Sequence, residues 1–212
     1  MESGLFISFE GSEGCGKSTQ IDLLRQRFAA GGRCEVTREP GGTELGEAIR
    51  HLLKHAPEGE GMTPESELLL FAASRAQLVR EEIEPWLADG VHVIADRFLD
   101  STYVYQGIAR GLDLNAVQQI NAFAVGDRLP DLTFVLDMDA GIAFERAAAR
   151  GEPKDRMESE ALTFYEKVRQ GYLDLAAQEP DRFAVIDAAS SIETIAKQIE
   201  STLTNRYDGI FG

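Results

Sequence analysis

A glycine-rich segment near the start of the chain constrains the fold more than any other feature. Residues 11–18 read Gly-Ser-Glu-Gly-Cys-Gly-Lys-Ser, which satisfies the pattern G-x-x-x-x-G-K-[ST] at every fixed position. The apolar run at residues 5–9 predicts a buried strand before it, and a helix is predicted to begin at Gln20. A glycine-rich turn between a strand and a helix presents backbone N–H groups as an anion cradle. The segment therefore predicts a nucleoside triphosphate site.

Two side chains in this segment have predicted chemical roles. Lys17 is expected to reach the β- and γ-phosphates, and the Ser18 hydroxyl is expected to hold Mg²⁺. The residues expected to contact the triphosphate are Gly11, Ser12, Glu13, Gly14, Cys15, Gly16, Lys17, Ser18 and Thr19.

Composition narrows the class of protein. A chain of 212 residues favours one domain, numbered 1–212, and a net charge of −15 argues against non-specific binding to nucleic acid. The two cysteines have no metal-ligand spacing and suit a reducing compartment. The chain runs from Met1 almost directly into a core strand and contains no apolar run of membrane-spanning length. We therefore expect a cytoplasmic protein with no membrane or nucleic-acid partner.

Strands and helices are predicted to alternate along the chain. Five apolar runs predict strands at residues 5–9, 34–37, 91–95, 132–136 and 183–186. Helix signals predict helices from residue 20 to Gly31-Gly32, then at 43–54, 63–87, 114–125, 141–150 and 160–178, with a last one to about 204. Ser190 and Glu193 are expected to form its capping box. This alternation predicts an α/β fold with a doubly wound parallel sheet.

Charged residues follow several strands at the edge where the glycine-rich segment lies. Asp96 ends one strand and is expected to orient the Mg²⁺ shell, while Arg97 beside it suits a bidentate contact with phosphate. The turn at 38–42 and Asp137 end two other strands. The polar segment at 151–159, with its flanking residue, carries Arg150, Lys154 and Arg156. A basic loop there predicts a lid at about 150–160 that closes over the phosphates.

Several segments together resemble the thymidylate kinase family. The resemblance is carried by the Glu-Gly-Ser-Glu-Gly-Cys-Gly-Lys-Ser-Thr run at 10–19, Thr-Arg-Glu-Pro-Gly-Gly-Thr at 37–43, Phe-Ala-Ala-Ser-Arg at 71–75, Asp-Arg-Phe at 96–98 and Tyr-Gln-Gly at 105–107. It extends from about residue 5 to 204 and implies a P-loop NTPase fold of the nucleoside monophosphate kinase type, with a five-stranded parallel sheet between helices. The implied reaction is ATP + dTMP giving ADP + dTDP with Mg²⁺, and the family usually forms homodimers.

The resemblance assigns a base pocket. Phe71 would stack on the thymine ring, and Arg75 would donate a hydrogen bond to thymine O4. Gln106, with Ser101 or Thr102, would contact the base near N3. Phe71 and Arg75 are one helical turn apart, so a helix would place them on the same side.

The resemblance also assigns the sugar and phosphate contacts. Tyr105 would lie where a ribose 2′-hydroxyl would sit, and Glu13 would point toward the 3′-hydroxyl side of the acceptor nucleotide. Pro40 would contact the substrate and follow a cis peptide bond. Three arginines would hold the phosphate of dTMP: Arg38, Arg50 and Arg97.

The position of the catalytic arginine varies within the family. This chain has Cys15 and no basic residue before the lysine of the glycine-rich segment, which suits the bacterial type with a catalytic arginine in the lid. Arg156 is favoured for the transferring phosphoryl group and Arg150 for packing near adenine, with Lys154 as a third candidate. The complete expected catalytic set is Lys17, Arg97, Arg150 and Arg156.

Two rival functions stay open on the sequence alone. Another P-loop kinase would differ in its acceptor pocket, and would phosphorylate AMP, CMP or a sugar or acid instead. A nucleotide-dependent switch would bind and hydrolyse triphosphate without transfer, although the Asn-Lys-x-Asp string of guanine-type switches is absent. The sequence also leaves open the acceptance of dUMP, the choice of phosphoryl donor and the role of the tail at 205–212.

Overall fold

The computed structural model describes residues 3–29, 33–149 and 160–211. Within them, five parallel strands form one sheet in the order β2-β3-β1-β4-β5. The strands are β1 (Phe6–Glu10), β2 (Cys34–Arg38), β3 (His92–Asp96), β4 (Leu132–Asp137) and β5 (Phe183–Asp187). The predicted α/β fold with a five-stranded parallel sheet is thus confirmed.

Helices cover both faces of this sheet. The α-helices are α1 (Lys17–Ala29), α2 (Glu44–Lys54), α3 (Pro64–Leu78), α4 (Glu84–Ala88), α5 (Leu99–Thr102), α6 (Leu114–Val125), α7 (Ala140–Ala148), α8 (Leu162–Gln178) and α9 (Ile192–Arg206). Helices α1 and α9 pack on one face through Leu24 and Ile199, which join a core with Ile7. On the other face, Leu78 of α3 packs in a core with Phe6. Successive residues of a strand point to opposite faces, so β1 supplies both cores.

The strand order places the functional residues at one edge. β1 lies between β3 and β4, and Phe9 is in register with Asp96 of β3. Arg38 at the end of β2 is also in register with Asp96. The direction of winding reverses at β1, and ligands of open α/β sheets bind at such a point beyond the carboxyl ends of the strands.

The long helix predicted at 63–87 is interrupted. Residues Val79–Ile83 form a π-helical turn between α3 and α4, and Pro85 lies in the first turn of α4. Proline has no N–H and its ring crowds the carbonyl of the residue four positions earlier, so a regular α-helix cannot pass through it. The wider π turn absorbs this mismatch.

A second π-helical stretch lies where the sequence showed no helix signal. Residues Tyr103–Ala109 continue α5 as a π-helix and carry Tyr105 and Gln106. Single-turn π segments occur often at functional sites, because they redirect side chains out of the regular α spacing.

The N-cap of α9 is Ser191, so the predicted cap at Ser190 was wrong. The Ser191 side chain accepts a hydrogen bond from the Thr194 backbone N–H at 3.2 Å, whereas the Ser190 hydroxyl bonds Asp187 at 3.2 Å. Ser190 is hydrogen-bonded to Asp187 at the end of β5. The helix therefore begins one residue later than the Ser190–Glu193 capping pattern predicted.

This difference predicts unequal effects of two neighbouring substitutions. Ser191→Ala should lower the free energy of unfolding by about 1 kcal/mol, because it removes the cap of α9. Ser190→Ala should change it by less than about 0.5 kcal/mol, because the Ser190 hydroxyl lies outside the helix and bonds only the exposed Asp187 carboxylate. Urea unfolding of both variants and the parent measures this, and equal effects would contradict the assignment of the cap.

Candidate functional site

The glycine-rich segment forms a loop between β1 and α1. Helix α1 begins at Lys17, earlier than the predicted Gln20, so its N-terminus closes directly on the loop. Gly14 has a φ of 79°, and a Cβ there would press against the carbonyl oxygen of Ala143 in α7. Only glycine fits this position without strain. The loop and the helix N-terminus together form an anion cradle.

Lys17 lies inside this cradle. It is 6% exposed, and its Nζ donates to the carbonyl oxygens of Gly11 at 3.2 Å and Ser12 at 3.0 Å. These contacts hold the ammonium group within the loop, where a bound phosphate would sit. The phosphate-binding role of Lys17 stays a prediction.

Ser18 and Asp96 line the same cavity beside the loop. The buried Oδ1 of Asp96 has no hydrogen-bond partner among the described residues. A buried carboxylate oxygen with no partner is costly, and a hard cation with its water shell would satisfy it. The described residues contain no group of three acidic, histidine or cysteine side chains that could form a metal cage. A hydroxyl and one carboxylate therefore fit a magnesium ion that takes most of its ligands from phosphate and water.

Arg97 occupies the wall between this cavity and a second one. Its backbone has a φ of 71°, a strained value for a residue with a side chain. The guanidinium donates to Glu13 at 2.8 Å and to Ser101 at 3.2 Å, and lies 5.2 Å from the centre of the Tyr105 ring. Burial opposes the charge, but Tyr105 and Glu13 raise the pKa of Arg97 well above its usual value. The result is a fixed cation.

Glu13 faces this cation from the loop. Burial alone would raise the pKa of the Glu13 carboxyl, but the charges of Arg97 and Lys17 outweigh it and hold the pKa well below its usual range. Glu13 is therefore an anion at neutral pH. It borders both cavities, and its predicted position facing the acceptor nucleotide stays a prediction.

A buried carboxylate network lies behind Arg97, and the sequence reasoning missed it. Glu10 accepts hydrogen bonds from the Phe98 N–H at 2.8 Å, the Ser101 hydroxyl at 2.6 Å and the Tyr172 hydroxyl at 2.8 Å. Burial, then Asp100, raises the pKa of Glu10, against the effect of Arg97. The sequence did show an acidic residue, Glu10, at the end of a buried strand, and this could have indicated a functional role. Nothing in the sequence pairs Glu10 with Tyr172.

The second cavity collects most of the predicted acceptor residues. It is lined by Glu13, Glu39, Pro40, Lys54, Phe71, Arg97, Ser101, Thr102, Tyr105 and Gln106. The Glu39–Pro40 peptide bond is cis, as expected. The hydroxyl of Tyr105 is buried and has no partner among the described residues. This aromatic slot, in which the rings of Phe71 and Tyr105 stand beside polar groups, has the lining expected of a pocket for an aromatic base.

Arg75 does not line this cavity, contrary to its expected direct contact with a base. It is fully buried and bonds the Glu39 carboxylate, Asn121 and the hydroxyl oxygen of Thr102. A buried arginine needs partners for its charge and its N–H groups, and these three supply them. Burial raises the pKa of Glu39 to about 7, although Arg75 lowers it. Thr102, which accepts from Arg75, lines the cavity.

Arg38 and Arg50 line the cavity beside the phosphate loop and not the acceptor slot. Arg38 is half exposed and bonds Glu47 at 2.9 Å, whereas Arg50 donates to the Pro40 carbonyl at 2.9 Å. Lys54 borders both cavities and was missed, because a lysine at the end of a helix is usually solvated. The predicted lid residues Arg150, Lys154 and Arg156 lie outside the described residues.

Comparisons with known proteins identify the family. The family model described as thymidylate kinase matches residues 9–199. The thymidylate kinase of Desulfosudis oleivorans is 50% identical over 209 residues, covering 94% of this chain and 96% of that protein. The thymidylate kinase of Deinococcus radiodurans is 48% identical, covering 97% of this chain and 99% of that protein.

A solved structure agrees with these sequence comparisons. The crystal structure of thymidylate kinase from Ehrlichia chaffeensis matches with a TM-score of 0.77 and 36% identity, covering 95% of this chain and 99% of that one. Such a kinase needs a phosphate loop, a carboxylate that can hold a cation and an acceptor cavity, and in this chain Arg97 lines both cavities. The chain belongs to the thymidylate kinase family, the P-loop enzymes that phosphorylate dTMP to dTDP with ATP.

Proposed function

We propose that this chain transfers the γ-phosphoryl group of ATP to dTMP across the wall that joins the two cavities. The observation that carries this proposal is the shared border: Glu13, Glu39, Lys54 and Arg97 line both the phosphate-loop cavity and the aromatic slot. A donor phosphate on the loop and an acceptor phosphate beside Arg97 would therefore meet. An acceptor that is already a phosphate anion needs no general base, so catalysis would come from positioning of the two phosphates and neutralisation of their charge.

The cation expected at this site fits the residues present. Ser18 and Asp96 would hold Mg²⁺, since both line the phosphate-loop cavity and the Oδ1 of Asp96 has no protein partner in the described part of the chain. When bound, Mg²⁺ supplies positive charge that neutralises the phosphate oxygens. Lys17 would hold the donor phosphates, and Arg97 would orient the acceptor phosphate with its planar fork.

Acceptor selection is assigned to the slot. Phe71 would stack on the base, and Thr102 and Gln106 would meet its polar edge. Ser101 is engaged with Glu10, so Thr102 is the better candidate of the two hydroxyls. Arg75 would act through Thr102, to which it is hydrogen-bonded, and not by direct contact. Arg38 and Arg50 would reach the acceptor phosphate from the lining of the phosphate cavity.

We further propose that residues 1–212 form one kinase domain whose lid, at about 150–160, supplies the catalytic arginine. Arg156 is favoured over Arg150 and Lys154, because the phosphate loop itself carries no basic residue before its lysine. Lid closure would exclude water and bring charge to the transferring group.

The acceptor profile tests the proposed function. ADP release from Mg-ATP would be measured in a coupled assay with dTMP, dUMP, UMP, dCMP and AMP. Strong turnover with dTMP and weak turnover with the others is expected. Turnover led by another acceptor would keep the phosphate loop but remove the roles of Phe71 and Tyr105. No turnover with any acceptor, from folded protein, would favour a nucleotide switch.

Tyr105→Ala should relax the preference for deoxyribose. The ring borders the slot, so its removal would open space for a 2′-hydroxyl. The ratio of kcat/KM for dTMP to that for ribothymidine 5′-monophosphate should fall about tenfold or more. Tyr103→Ala is the matched control, because Tyr103 lies on the same π-helix but lines a different cavity. An unchanged ratio in a folded Tyr105→Ala protein would remove Tyr105 from the sugar pocket.

We also propose a homodimer in the cytoplasm. Helices α2, α3 and α6 pack side by side and present exposed apolar residues, Leu45, Leu69 and Phe123, with Phe123 91% exposed. Such a face favours contact with a second copy. No helix in the described residues is long and apolar enough to cross a membrane.

Phe123→Asp should convert the proposed dimer to a monomer, because a carboxylate would be buried without a partner at the interface. Light scattering after size exclusion measures the mass. Ile192→Asp, on α9 at the other face of the sheet, is the control and should leave the mass unchanged. A Phe123→Asp protein with the parent's mass would place the interface elsewhere or show that none exists.

A further inference from the structure

The proposed mechanism gives no role to Glu67, a carboxylate buried in the first turn of α3. Glu67 is 1% exposed. One of its oxygens, Oε1, accepts hydrogen bonds from Gln106 Nε2 at 2.8 Å and from Arg110 Nε at 2.6 Å. Arg110 also pairs with Glu160 at 2.8 Å and packs over the Phe164 ring. Because the Arg110 guanidinium can only donate, the Glu67 oxygen that it shares with Gln106 acts as an acceptor in this network.

An acceptor-only neighbour fixes the orientation of the Gln106 amide. The amide must turn its NH₂ group toward Glu67, because its oxygen would be repelled there. This holds whichever way the two similar atoms of the amide are assigned. The Gln106 oxygen, Oε1, is then available to another donor, and no described residue donates to it. Gln106 lines the aromatic slot, so this oxygen is the acceptor that it can offer to a ligand.

Thr102 is left as a hydrogen-bond donor, whereas Gln106 is left as an acceptor. Arg75 is a donor without any acceptor, and its Nη2 donates to Thr102 Oγ1 at 2.8 Å. The hydroxyl proton of Thr102 is therefore directed to another acceptor. Thr102 and Gln106 are four positions apart on one helical run, and both line the slot. Arg75 thus makes Thr102 a donor toward the slot, and Glu67 makes Gln106 an acceptor toward it.

We propose that Glu67 is a positioning residue that, through Gln106, makes the slot select a base with an N–H beside a carbonyl. The neutral thymine ring has this pattern in N3–H and O4, whereas cytosine has an acceptor at N3 and an NH₂ at C4. A fixed acceptor facing N3 would pair with the first and repel the second. The inference rests on the proposed function, because it assigns the selectivity of that same acceptor slot.

The variant Glu67→Gln tests this step. It keeps the size of the side chain but can offer either an oxygen or an NH₂ group, so Gln106 loses its fixed orientation. The ratio of kcat/KM for dTMP to that for dCMP should fall about tenfold, the value of roughly one hydrogen bond. The change should appear mainly in KM, since base binding does not alter the reacting phosphates.

Glu160→Gln is the matched control, because it removes a second carboxylate bonded to Arg110 without touching Gln106. Its ratio should equal that of the parent. A double-mutant cycle with Gln106→Met adds a second test: Glu67→Gln should have no further effect on the ratio in that background. A purely structural Glu67 would lower the unfolding midpoint but leave the ratio unchanged, and would overturn the inference.

The outcomes separate this inference from the proposed function. A parent protein that does not phosphorylate dTMP would refute the proposed function itself. If the parent prefers dTMP and Glu67→Gln has the same dTMP to dCMP ratio as the parent, only the role of Glu67 is refuted. If Glu67→Gln does not fold, the variant Gln106→Met is the test. A ratio of kcat/KM for dTMP to that for dCMP that is unchanged in Gln106→Met would show that neither Gln106 nor Glu67 selects the base.

Discussion

Lys17→Ala should lower kcat by about 10²–10³-fold, the usual effect of removing one donor that stabilises charge developing in a transition state. Lys17 is the cation inside the phosphate loop, and its ammonium is held by two loop carbonyls, those of Gly11 and Ser12. A phosphate bound on the loop would contact it directly, while α1 buries its core through Ile21, Leu24 and Phe28, which the substitution does not touch. The fold should therefore survive.

Steady-state kinetics with saturating dTMP and varied Mg-ATP measure this effect, with thermal unfolding to confirm the fold. Lys197→Ala, an exposed lysine on α9, is the matched control and should keep parental kinetics. Lys17→Arg should also lose activity, because the larger planar guanidinium does not replace a compact ammonium in a closed loop. Parental kcat in a folded Lys17→Ala protein would refute the assignment of the phosphate loop.

The sheet and the phosphate loop could be predicted because their signals are local. Apolar runs located all five strands, and the spacing of glycines with Lys17 and Ser18 located the loop. Parallel strands end at one edge, so the sequence also predicted that Asp96 and Arg97 would face the loop. Each of these steps needs only neighbouring residues and the geometry of a parallel sheet.

The buried polar networks could not be predicted, because their partners are far apart in sequence. Glu10 and Tyr172 bond across 162 positions, and Arg75 and Glu39 across 36. Periodicity shows which face of a helix is apolar, but it does not show which buried ions will meet. This is why Arg75 was expected to contact the base, whereas it is fully buried and bonds Glu39, Asn121 and Thr102.

Substituting Arg97 by methionine should lower kcat/KM for dTMP by about 10²–10³-fold. Arg97 is the cation at the border of both cavities, and it also neutralises Glu13 at 2.8 Å. Methionine would remove the contact to the acceptor phosphate and leave the Glu13 carboxylate facing that phosphate without its partner. Both effects oppose binding of a dianion, so the loss should exceed that of a simple contact. The kcat/KM of Arg97→Lys for dTMP should lie between those of the parent and Arg97→Met, since lysine keeps the charge but not the bidentate fork.

The carboxylate gives this prediction a second test. Adding Glu13→Gln to Arg97→Met removes the unpaired charge, so the double variant should bind dTMP more tightly than Arg97→Met alone. Arg80→Met is the control, because Arg80 is half exposed and pairs with Glu84 away from both cavities. Kinetics that vary dTMP at saturating Mg-ATP are measured for the parent, Arg97→Met, Arg97→Lys, Glu13→Gln, the double variant and Arg80→Met. A KM for dTMP that does not change in Arg97→Met would place the acceptor phosphate elsewhere. Strict additivity of the two substitutions would show that Glu13 acts independently of Arg97.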